Sequence, residues 1–120
     1  MTERGYGRII NVSSVNGQRG QIGQTNYSAA KAGMTGFTRA LAREVARDGI
    51  TVNSVSPGYV QSPMIEAVPE KVRSKIIQQI PVGRFAEPIE IAKSIAFLAN
   101  KDSGYITGTD LSVNGGFHMG

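Results

Sequence analysis

The sequence predicts an α/β fold in which helices cover a parallel sheet. Three observations carry that expectation. Short β-branched runs recur at Arg8-Ile9-Ile10-Asn11-Val12-Ser13, Ile50-Thr51-Val52-Asn53-Ser54-Val55 and Thr109-Asp110-Leu111-Ser112-Val113. The first of them lacks the alternation of a half-wet strand and reads as buried. Helix-like stretches lie between the runs, giving the order strand, helix, strand, helix, helix, strand.

Each element has its own local warrant. Gly7 leads into the first strand, and residues 15–24, rich in Gly, Gln and Asn, form a loop. From about Thr25 to Arg47, Ala29, Ala32, Gly33, Phe37, Ala40, Leu41 and Val45 fall at helical intervals, with Thr25 or Asn26 as the cap. The small residues Ala29, Ala30, Ala32, Gly33 and Gly36 leave room for another backbone to approach. Asp48-Gly49 ends this helix. The second strand stops at Ser56-Pro57-Gly58, and one amphipathic segment spans about residues 64–80. Pro88 suits the start of a helix carrying Ile89, Ile91, Ala92, Ile95, Ala96, Phe97 and Leu98. Asn114-Gly115-Gly116 turns the chain after the third strand, and residues 1–120 read as one unit without repeats.

Composition narrows the function. The chain has 120 residues, 40% hydrophobic, with 15 Gly and no Cys. That excludes a disulfide scaffold and cysteine-ligated metal and suits a cytoplasmic protein. No apolar stretch is long enough for a membrane helix, and no export signal is visible. The net charge of +4 comes from scattered basic residues, not a stripe, so a nucleic-acid partner is not expected.

Chemistry concentrates in Tyr27-Ser28-Ala29-Ala30-Lys31. Residues four apart share a helix face, with Cβ atoms about 5–6 Å apart. A phenol beside an ammonium is a better acid near neutral pH than an ordinary tyrosine, because the positive charge favours the phenolate. In open parallel sheets ligands bind beyond the carboxyl ends of the strands. Ser13-Ser14 and Ser56-Pro57-Gly58 stand at two such ends, so Ser14, Tyr27, Lys31 and Pro57-Gly58 are expected to face one crevice.

These motifs resemble the short-chain dehydrogenases/reductases. The likeness runs from Ile9-Ile10-Asn11-Val12-Ser13-Ser14 through Tyr27-Ser28-Ala29-Ala30-Lys31-Ala32-Gly33 and Val52-Asn53-Ser54-Val55-Ser56-Pro57-Gly58 to Thr107-Gly108 and Asn114-Gly115-Gly116. Ser14 and Tyr27 stand thirteen residues apart, the family's spacing. Within the family, Asn16-Gly17-Gln18, Gln21, Gln24-Thr25-Asn26-Tyr27 and the ending Gly115-Gly116-Phe117-His118-Met119-Gly120 resemble acetoacetyl-CoA reductases more than 3-oxoacyl-(acyl carrier protein) reductases.

The resemblance implies NADPH-dependent reduction of a 3-oxoacyl thioester. Tyr27 would donate the proton, Ser14 would orient the ketone oxygen, and Lys31 would bond the nicotinamide ribose and lower the tyrosine pKa. Tyr27, Lys31, Pro57, Gly58, Val60 and Ser62 match cofactor-binding positions, with Ser62 where Thr is commoner. Ser14, Gln21, Gln24 and Tyr59 match the lining of the acyl-thioester pocket. The family's glycine-rich phosphate loop and its NAD-or-NADP selector have no counterpart here. The chain therefore resembles the carboxyl-terminal half of a Rossmann-like, doubly wound sheet, expected to be inactive alone. A homo-oligomer, tetrameric in the full-length family, is implied as well.

Simpler readings stand beside these. Ser14 caps a strand exit as readily as it binds a substrate, and a lone helical lysine is usually a solvated charge. Tyr59 and Phe85 suit a core, Arg84 and Glu87 a surface, and His118 a tail with no metal role. A non-catalytic module that pairs with a reductase subunit is the alternative from another class. Co-purification with such a subunit separates the two.

Overall fold

The computed structural model describes residues 1–13 and 24–118, with side chains given for all of these except residues 24–28. Strand β1 is Gly7–Val12, β2 is Ile50–Pro57 and β3 is Asp110–Val113. They form one parallel sheet in the order β1-β2-β3. Gly7 pairs with Ile50 and Val12 with Val55, while Ser54 faces Asp110 and Pro57 faces Val113. Helices are α1 (Gln24–Val45), α2 (Pro63–Glu66), α3 (Glu70–Gln78) and α4 (Pro88–Ala99). The predicted class holds, a parallel three-stranded sheet with flanking helices, but three helices rather than two lie between β2 and β3.

Strand β2 is the spine. Seven consecutive residues, Ile50 to Ser56, are buried, as a strand covered on both faces must be. Ile50 and Val52 pack with Ala42, Leu41 and Val45 of α1 and with Ile9 of β1. Arg8, on the opposite pleat of β1, donates to the carbonyls of Asn100 and Lys101 just past α4, so α1 and α4 cover different faces. Tyr6 lies under that guanidinium, 4.6 Å from its centre. A second core gathers Tyr59, Ile65, Ile76, Ile80 and Phe85 beyond the end of β2.

Two local expectations need correction, the cap of α1 and the single segment at 64–80, and the structure assigns the face of α1 that meets the sheet. Helix α1 begins at Gln24, so Thr25 and Asn26 lie inside its first turn and neither is the cap. The face of α1 on the sheet is Thr38, Leu41, Ala42 and Val45, whereas Ala29, Ala32, Gly33, Phe37 and Ala40 are exposed. The intervals noted in the sequence therefore mix two stripes, and most of the small-residue stripe is open surface. The segment at 64–80 is two helices, because Pro69 cannot continue a helix and biases Val68 away from helical backbone.

Turn chemistry closes the joints as expected. A short 3-10 turn, Ala46–Asp48, follows α1, and Gly49 caps it with φ 76°, in the left-handed region. Pro88 occupies the first turn of α4, and the backbone N–H of Glu87 donates to Glu90 Oε1 at 2.8 Å. Asn114 Oδ1 accepts from the N–H of Gly116, forming the Asx turn after β3.

Candidate active site

Helix α1 descends from the carboxyl end of β1 toward the start of β2, which places residue 27 near the top and Lys31 one turn lower. Ser14 and Gln21 lie outside the described residues, as do the side chains of Gln24 and Tyr27. The backbone of Tyr27 is helical, which satisfies the condition for the Tyr27–Lys31 pairing.

Lys31 is half-buried and its Nζ stands 3.3 Å from Asp110 Oδ2. The other oxygen of Asp110 accepts from Ser54 Oγ at 2.7 Å and Ser56 Oγ at 2.8 Å. Partial burial pushes the Asp110 carboxyl up, but the bonds from Ser54, Ser56 and Lys31 together outweigh it. Its pKa therefore lies below the ordinary carboxylate value. Ser56 immediately precedes Pro57-Gly58, so two hydrogen bonds link the lysine of α1 to the turn at the end of β2.

Strand pairing explains why the acid sits there. Asn53 is completely buried; its Nδ2 donates to Ile106 O and its Oδ1 accepts from the N–H of Thr109, both at 3.0 Å. The N–H of Ser54 donates to Thr109 O and that of Gly108 to Val52 O. These bonds fix the turn into β3 and deliver Asp110 opposite Ser54. The sequence reading missed Asp110, Ser54 and Ser56. Their signal was an acid and two hydroxyls, spaced by two, within strands otherwise read as core.

The loop after β2 is crowded. A Cβ on Gly58 would lie 2.7 Å from Asn114 Cβ and 2.9 Å from Asn114 Cα, so the two strand exits meet only because position 58 is glycine. The Gly58 N–H donates to Val113 O. Val60 is half-buried and bridges Ala86. Ser62 Oγ accepts from the N–H of Ile65, capping α2. The ring of Tyr59 is buried against Phe85 and Phe117, with centroids 6.1 and 5.4 Å away.

These positions suit a nicotinamide cofactor. The Lys31 ammonium carries three N–H donors, directs one at Asp110, and remains partly open to solvent, as a ribose-binding group must. Among the described residues no group of three or more His, Asp or Glu could hold a metal, and no helix is long and apolar enough to cross a membrane.

Comparison with known proteins adds the ancestry. A family model described as enoyl-(acyl carrier protein) reductase matches residues 1–118. The chain is 64% identical over 119 residues to the acetoacetyl-CoA reductase of Allochromatium vinosum, covering 99% of this chain and 48% of that protein. It is 58% identical over 120 residues to the acetoacetyl-CoA reductase of Cupriavidus necator, covering 100% and 49%. A 3-oxoacyl-[acyl-carrier-protein] reductase of Haemophilus influenzae is 51% identical over 119 residues, covering 99% and 49%. The chain thus spans about half the length of the curated relatives it matches. With a parallel sheet, a Tyr-x-x-x-Lys helix and a family model matched over nearly every residue, the chain belongs to the short-chain dehydrogenase/reductase family.

Proposed function

We propose that this chain is the carboxyl-terminal, catalytic half of a reductase acting on a 3-oxoacyl thioester, with acetoacetyl-CoA as the substrate and NADPH as the cofactor. The observation that carries the reading is the tether from Lys31 through Asp110 to Ser56, which sets the helix lysine beside the Pro57-Gly58 turn. The names of the relatives supply the substrate class, and the acetoacetyl-CoA reductases at 64% and 58% identity favour CoA over the acyl carrier protein.

A bound nicotinamide supplies hydride to the ketone carbon of the substrate. Charge then develops on the ketone oxygen, and the protein's task is to hold and protonate that oxygen. Ser14 donates a hydrogen bond to it. Tyr27 gives it a proton, and the phenolate left behind is favoured by the Lys31 ammonium one turn away. Lys31 also bonds the ribose hydroxyls. Pro57, Gly58, Val60 and Ser62 line the nicotinamide side of the crevice, and Gln21, Gln24 and Tyr59 shape the acyl pocket. Tyr59 acts there through its buried ring packing, as one wall of the apolar cluster beyond β2.

The test is a chimera that joins the amino-terminal half of the Allochromatium vinosum reductase to this chain. Acetoacetyl-CoA-dependent NADPH oxidation is expected, falling about 10²–10⁴-fold in Tyr27→Phe, the range for a lost general acid. A folded chimera that is inactive, or equally active as Tyr27→Phe, overturns the reading.

A further inference from the structure

The role proposed for Lys31 leaves its neighbour unexplained. A lysine that bonds ribose and tunes a phenol works as a cation, and an acid beside it competes for that charge. Yet Asp110 Oδ2 takes Lys31 Nζ at 3.3 Å, while Oδ1 takes the hydroxyls of Ser54 and Ser56 at 2.7 and 2.8 Å. Both serines are buried, and β3 is locked against β2 by the Asn53 bonds, so the carboxylate has little freedom to rotate. The lysine, on a flexible four-carbon stem, is the mobile member of the pair.

We propose that Asp110 is the positioning residue for Lys31, anchoring its ammonium over β2 beside Ser56 so that it is ordered before the cofactor binds. The inference rests on the reading of Lys31 given above. An unanchored lysine would have to be ordered at the moment of binding, weakening affinity for the cofactor. The carboxylate also offsets part of the positive charge near Tyr27, so removing it favours the phenolate further. The groups facing Asp110 are Lys31 from α1 and Ser54 and Ser56 from β2. Arg39 of α1 lines the same polar cavity of about 320 Å³, with Thr38 and Ser112.

Asp110→Asn is the informative change, because the amide oxygen still accepts from the serines while its NH₂ offers Lys31 no acceptor. In the chimera, NADPH affinity is expected to fall about tenfold, and the alkaline limb of the turnover profile, where the donor phenol loses its proton, to move to lower pH. Asp110→Glu should recover part of both. On a Lys31→Met background, Asp110→Asn should leave NADPH affinity unchanged, because its effect on affinity runs through the lysine. Equal effects with and without Lys31, or an unmoved pH profile, would overturn the proposal in favour of a purely structural acid.

A second measurement stands apart from activity. In this chain, carbon-13 NMR of the Asp110 carboxyl should show a midpoint below the ordinary carboxylate value, raised by Lys31→Met and moved less by Arg39→Gln. A midpoint unmoved by Lys31→Met overturns the anchor even if the chimera is active. A midpoint that moves while the chimera is inactive supports the anchor and rejects the catalytic reading alone.

Discussion

Asn53 shows how one buried polar side chain can set a site it never touches. Its amide is satisfied at both ends, so its burial costs little, and the turn before β3 depends on it. Asn53→Ala would leave the Ile106 carbonyl and the Thr109 N–H without those partners. A loss of about 2 kcal/mol in urea unfolding is expected, within the range for unsatisfied buried groups. A loss below about 0.5 kcal/mol would show that water replaces the amide. Lys31→Ala should differ from Tyr27→Phe in the chimera: it weakens NADPH binding as well as turnover and moves the pH profile alkaline, because the charge favouring phenolate is gone. Tyr27→Phe should leave NADPH affinity nearly unchanged. If both variants lose cofactor affinity alone, another group supplies the proton. Surface acids follow the same electrostatics. Arg84 bonds Glu90 at 2.7 and 3.0 Å and, with the Glu87 N–H, holds its carboxyl down at about 2. Any stability this exposed pair adds is present above the ordinary glutamate pKa and lost as pH falls toward 2. Arg84→Ala should return the Glu90 midpoint, read by NMR, toward the ordinary value. Lys31 was legible as a helix-face charge four residues from Tyr27. Its partner lies 79 residues away and is fixed only by strand register, which local spacing does not encode.

At the scale of elements, propensity and turn chemistry placed β1, α1, β2, α4 and β3 to within a few residues. One error has a physical cause, and one face needed the structure to assign it. Amphipathic spacing from 64 to 80 concealed the break at Val68-Pro69, although a proline inside a helical pattern is itself a stop signal. On α1, small residues recur at helical period on a face that packs on nothing among the described residues, while Thr38, a polar residue, is buried against the sheet. Period alone reports that a stripe exists and not which stripe is covered. Gly58 was expected to end the second strand and to match a cofactor-binding position, and the structure adds a contact that spacing does not encode, between two strand exits. Gly58→Ala should therefore cost about 1–3 kcal/mol, as overpacking does, because the obstructing atoms include the Asn114 backbone. Thermal unfolding of the variant checks this. An unchanged midpoint would mean that residues 114–116 yield freely.

The whole molecule exposes more than its length warrants. Its surface is 7841 Å², where a compact protein of this mass has about 6,300 Å². Its radius of gyration is 16.0 Å, against about 14 Å for a compact chain of this length. Strand β1 pairs only with β2 among the described residues, and its other edge presents unpaired backbone groups. It is six residues long with Arg8 as its one charge and no proline, so the usual guards against edge pairing are sparse. Val12, Phe37 and Phe97 are each more than half exposed, on β1, α1 and α4. These features predict that the 120-residue chain, kept apart from any amino-terminal half, associates with itself at micromolar concentration. The same chain should bind NADPH weakly or not at all, since nothing among the described residues cradles a pyrophosphate. Sedimentation should give a mass above that of a monomer, and backbone amides of Ile9 and Ile10 should gain hydrogen-exchange protection as concentration rises. Adding the amino-terminal half of a relative as a separate chain should compete, restoring a discrete heterodimer and NADPH binding together. A monodisperse, well-folded monomer whose β1 amides are protected at every concentration would overturn this, showing that the edge is satisfied within the chain.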